Sequence, residues 1–100
     1  MNTEADRWLI ERPKVSVTLP DRPEGDWREE QGYGWIVKVW FRTWGQSKAA
    51  RDAIQEAGRE PKFWGRKIRV EVSDGYEGQG LTEFVLDRWP NVRLIQLRCD

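Results

Sequence analysis

Residues 36–44 alternate two tryptophans with two cations. On a period of two, Ile36, Lys38, Trp40, Arg42 and Trp44 fall on one side of the chain. Aromatic and cationic side chains in that alternation suit recognition rather than bond-making. Rings stack on flat groups, and Lys or Arg pairs with carboxylate or phosphate. Arg66, Lys67 and Arg69 add a second group of cations, and Trp27 is the one large apolar residue of an otherwise polar stretch. Trp40, Trp44, Lys38, Arg42, Trp27, Arg66, Lys67 and Arg69 are therefore the candidate partner-binding residues.

Residues able to make or break bonds are lacking by comparison. The chain has no histidine and one cysteine, Cys99, so neither a Ser-His nor a Cys-His pair can form, and no G-x-S-x-G turn is present. The glycines at 75, 78 and 80 lack the spacing and the following Lys-Ser/Thr of a phosphate-binding loop. A zinc site lacks its usual ligands, leaving open only oxygen ligation of a hard cation. Adjacent carboxylates such as Glu29 and Glu30 lie in a highly charged stretch, where solvation is their ordinary fate. The expectation is a non-enzymatic protein with no cofactor and no metal.

The elements that would position the binding residues follow from periodicity. Opposite the Trp–cation face, Tyr33, Trp35, Val37, Val39, Phe41 and Thr43 form the core face of one long strand. Gly45 breaks that pattern, Ser47 can cap a helix, and Ala49, Ala50, Ala53, Ile54 and Ala57 recur as its buried stripe up to Gly58. Upstream, residues 1–12 read as a partly ordered arm, 14–19 as a short strand pairing with the long one, and 20–32 as an acidic surface loop in which Trp27 either pins the loop or projects as an anchor. Downstream, 63–65 read as a connector, 67–72 as a strand, and the glycine-rich 75–80 as a mobile loop. Residues 81–89 fit a helical stripe better than a strand face, and 92–99 read as a last strand.

The fold expected is α+β: one domain over 1–100, with a single sheet of about four strands in the order β-β-α-β-(α)-β and one or two helices packed on one face. No apolar segment is long enough to span a bilayer or to serve as a signal peptide, so no membrane partner and a cytoplasmic location are expected. With 17 cations and 17 anions the formal net charge is zero. The charge is nevertheless divided: residues 33–70 carry nine cations and three anions, and both flanks are acidic. The ordinary role of such cations is to solvate the outer faces of the strand and helix, and the basic centre still calls for a partner.

Two resemblances bear on that partner. Gln31-Gly32-Tyr33-Gly34-Trp35-Ile36 resembles the first ribonucleoprotein signature of an RNA-recognition motif. Ala49–Ile54 and Gly65–Val72 are similar to the second helix and last strand of that family. The resemblance implies RNA or single-stranded DNA binding, with Tyr33 and Trp35 stacking on bases. In size and layout, with a Ser-capped Ala-rich helix and a Trp-Gly-x-x-Ile-Arg-Val-Glu strand, the chain also looks like small phage-encoded anti-CRISPR proteins. That likeness implies an inhibitor that docks on a host nucleoprotein complex. The leading expectation is such a protein-binding inhibitor, and the alternative is a nucleic-acid-binding module.

Overall fold

The computed structural model describes residues 3–18 and 34–99, for 3–6 the backbone alone. The elements are α1 (Thr3–Ile10), β1 (Val15–Thr18), β2 (Trp35–Trp40), α2 (Trp44–Glu56), β3 (Lys62–Trp64), β4 (Lys67–Val72), α3 (Gly75–Arg88) and β5 (Leu94–Cys99). The strands form one sheet in the order β1-β5-β2-β4-β3, antiparallel except for the parallel edge pair β1 and β5. From β2 onward the chain makes two split β-α-β units. β2 and β3 run parallel with β4 between them, and β4 and β5 run parallel with β2 between them.

The fold is thus α+β with one open sheet, and both long helices pack on one face of it. Trp35, Val37, Val39 and Phe41 point to that face and are almost fully buried, as the period-2 pattern requires. Ile68 and Val70 of β4 and Ile95 and Leu97 of β5 complete the floor. Ala50 and Ile54 bring α2 onto it, and Leu81, Thr82 and Val85 bring α3. No helix among the described residues is long and apolar enough to cross a membrane.

Several expectations are corrected. Among the described residues the sheet has five strands: 63–65 was expected as a connector, but Lys62–Trp64 pairs with β4 as an edge strand. The hairpin turns through Gly65 and Arg66. Gly65 has φ +57°, as the first central residue of a type II′ turn requires. β1 does not pair with the long strand. β4 and β5 already occupy both edges of β2, so β1 lies against β5 and the Ile95 N–H donates to the Lys14 carbonyl at 2.9 Å. The segment expected as an arm is helical over Thr3–Ile10. Trp8 is buried, its Nε1 donates to Glu83 Oε1 of α3 at 2.8 Å, and the Arg12 guanidinium lies 4.8 Å over its ring.

Residues 75–80 are not a loop but the first turns of α3. Asp74 caps the helix by accepting the Glu77 N–H at 2.8 Å, and Glu77 reaches back to the Ser73 N–H at 3.1 Å. The glycines here serve close approach rather than mobility. A Cβ on Gly78 would stand 3.1 Å from Leu97 Cδ2 and 3.6 Å from Val37 Cγ2. Residues 81–88 continue that helix, as the stripe of Leu81, Phe84 and Val85 predicts.

Candidate nucleic-acid interface on the sheet face away from the helices

Cross-strand register places the outward residues in rows. Leu94, Trp40, Lys67 and Trp64 form the first row across β5, β2, β4 and β3. Two residues along, Ser16, Gln96, Lys38, Arg69 and Lys62 form the second, and Thr18, Arg98, Ile36 and Glu71 form the third. Successive rows are about 7 Å apart, and Trp40 and Trp64 are separated by two strand widths, about 10 Å.

The first row is aromatic around a cation. Lys67 Nζ lies 5.1 Å from the Trp40 ring centroid and 6.0 Å from that of Trp64, so one ammonium sits against both rings. Trp64 is 53% exposed and Leu94 40%. The second row is cationic: Lys38, Arg69 and Lys62 stand directly opposite one another on three adjacent strands. Like charges in direct cross-strand pairs are destabilising. Arg69 also has its Nε buried with no acceptor among the described residues. A shallow groove of about 370 Å³ runs along this surface, lined by Ile36, Lys38, Trp64, Lys67, Arg69 and Arg98. Ile36 is buried in its row although it lies outside the core cluster.

Among the described residues, acidic side chains are sparse on this surface. The segments 35–40, 62–70 and 94–99, which supply most of its strand residues, contain no Asp or Glu. Glu71 is the one carboxylate among the outward strand residues, against Lys38, Lys62, Lys67, Arg69 and Arg98. Such a field favours a polyanion over any neutral ligand.

Of the candidate residues, Trp40, Lys38, Lys67 and Arg69 come together on this face. Arg66 occupies the β3–β4 turn at its border, where its carbonyl accepts the Phe41 N–H at 2.7 Å. Arg42 and Trp44 do not share the face. The strand ends at Trp40, and Thr43 caps α2 by accepting the Gln46 N–H, replacing the expected Ser47 cap. Trp44 is therefore a helical residue. It is 66% exposed, its ring lies against Gly65, and it meets Phe63 edge-on at 6.5 Å. Arg42 turns to the Asn91 carbonyl, with Nε at 2.7 Å. Trp27 and Tyr33 lie outside the described residues. Trp35 is 1% exposed beneath the helices, so its ring faces the core.

Lys62, Trp64, Leu94 and Arg98 belong to the face and escape a residue-type search along the chain. The usable signal was Lys62-Phe63-Trp64 alternating ahead of Gly65-Arg66 and a second alternating run, which is the pattern of a two-residue hairpin. Comparison with known families, with characterised proteins and with solved structures returns no match for this chain.

Proposed function

We propose that this protein binds single-stranded nucleic acid across the sheet face that the helices leave open. The observation that carries this reading is the pairing of the Trp40–Lys67–Trp64 row with the parallel Lys38–Arg69–Lys62 row. Lys38, Arg69 and Lys62 in register concentrate positive charge along one line that an anionic backbone can follow. The neighbouring rings offer stacking platforms at a spacing that lets bases fall on one row while phosphates follow the other. A single strand suits a flat sheet face because its bases are free to splay onto the rings.

Fluorescence anisotropy with labelled single-stranded RNA and DNA over a salt series tests this. With about four phosphates engaged, log K falls with log[salt] at a slope of about −3. Absence of binding at low salt overturns the reading.

A second reading keeps the expected inhibitor that docks on a host nucleoprotein complex, as anti-CRISPR-like proteins do. It is favoured by Trp44 and Trp64, both more than half exposed, which bracket the Gly65-Arg66 turn. Exposed Trp and Arg are the residue types that dominate protein interfaces. Trp44→Ala separates the two readings: it spares nucleic-acid affinity on the first and abolishes partner binding on the second.

A further inference from the structure

Lys67 is a cation that stands outside the cationic row. It lies in the first row between Trp40 on β2 and Trp64 on β3, and it is the direct cross-strand partner of both. Its ammonium sits over the two rings, 5.1 Å from the Trp40 centroid and 6.0 Å from that of Trp64. No carboxylate among the described residues pairs with Lys67, so the indoles are what hold the charge in place.

Trp64 depends on that contact more than Trp40 does. Trp40 has row neighbours on both sides, Leu94 and Lys67. Trp64 is more than half exposed on the last strand of the sheet, and its one row neighbour among the described residues is Lys67. An indole this exposed samples several rotamers unless something fixes it, and a side chain that must be ordered on binding loses affinity. The charge at 67 matters as well as the bulk. A leucine there would draw both rings down over itself, whereas an ammonium is attracted to the ring faces while keeping part of its hydration.

From this geometry, and resting on the single-strand reading above, we propose that Lys67 is a positioning residue: it holds the Trp40 and Trp64 indoles apart as stacking platforms and takes no phosphate itself. The phosphates fall to Lys38, Arg69 and Lys62 in the next row, about 7 Å away. The ammonium covers the side of each ring turned toward β4, so a base stacks on the opposite face of each. Bases on Trp40 and Trp64 are thereby kept apart rather than stacked on one another.

Two measurements on the full chain test this, after thermal melts have established that each variant is folded. Lys67→Gln keeps most of the stem and removes the charge, whereas Lys67→Arg keeps a cation over the rings. In the free protein, nitrogen relaxation of the Trp64 indole Nε1–H should give an ordered ring in the wild type and in Lys67→Arg, and an order parameter falling from about 0.85 towards 0.6 in Lys67→Gln. Anisotropy with a labelled single strand over a salt series then separates positioning from phosphate contact. Lys67→Gln should weaken binding by about 3–10-fold at every salt concentration, with the slope of log K against log[salt] unchanged, and Lys67→Arg should bind as the wild type does. A slope shallower by about 1, with the loss vanishing at high salt, makes Lys67 a phosphate contact and overturns the proposal. A Trp64 indole equally ordered in Lys67→Gln overturns it too, and either result leaves the face reading standing. No binding of a strand by the wild type at low salt overturns both.

Discussion

Lys38 and Arg69 are direct cross-strand partners on the sheet face away from the helices. Lys62 extends the line on the far side of Arg69. Like charges opposed in direct cross-strand pairs cost a few tenths of a kcal/mol or more where nothing offsets them. On the single-strand reading, Arg69 is the point where stability and binding pull apart.

Replacing it tests that opposition. Arg69→Thr removes two like-charge contacts and a buried unpaired N–H, and threonine favours strands. Stability is expected to rise by about 0.5–1 kcal/mol. Nucleic-acid affinity should fall in the same variant, with the salt slope shallower by about 1. Thermal melts and a salt titration on one preparation decide it, and a loss of stability would contradict the argument.

The two faces of β2 should answer differently to truncation. Phe41 is fully buried and meets the Trp89 ring edge-on at 5.9 Å, so Phe41→Ala should cost about 3–5 kcal/mol. Trp40 is partly exposed on the other face. Trp40→Ala should lower the melting temperature by only a few degrees while costing about 1–3 kcal/mol of binding to a single strand. Equal, large losses of stability in both variants would place Trp40 in the core and remove it from the binding surface.

Gly78 tests the close approach of α3 to the sheet. Gly78→Val forces branched atoms into the space held by Leu97, Val37 and Val72 and should cost at least about 2–3 kcal/mol. Gly78→Ala gains about 1 kcal/mol of helix propensity against one 3.1 Å contact with a side-chain methyl, and should be close to neutral in a denaturant titration. Similar effects from both substitutions would mean that α3 sits farther from the sheet.

Hydrogen exchange separates the helical from the loop reading of 75–80. The Gly78 N–H bonds to the Asp74 carbonyl at 3.1 Å, and Thr82 Oγ1 donates to the Gly78 carbonyl at 2.8 Å in the interior. Amides from Gly78 onward should exchange as slowly as the rest of α3. Fast exchange across this segment would restore the loop.

By itself the chain determined those features that depend on local periodicity and on residue type. Alternation over 35–41 and 67–72 specified two strands and the buried face of each, because a period of two leaves no other way to hide Trp35, Val37, Val39 and Phe41 together. The helical stripe from Ala50 to Ile54 was equally plain, so the fold class could be read directly. The capping pattern Asp74-x-x-Glu77 was also present, but three nearby glycines suggested a mobile loop. A glycine's role depends on what lies across from it, and Val37, Val72 and Leu97 are distant in sequence. Only the tertiary structure decided which strands are neighbours. Once β4 and β5 occupy both edges of β2, β1 is displaced to the margin, Lys62 and Trp64 enter the face from the edge, and Trp44 leaves it for a helix. Cations far apart in the chain thereby become a row. Pairing partners are chosen by the burial of the whole sheet, a quantity that no single segment carries.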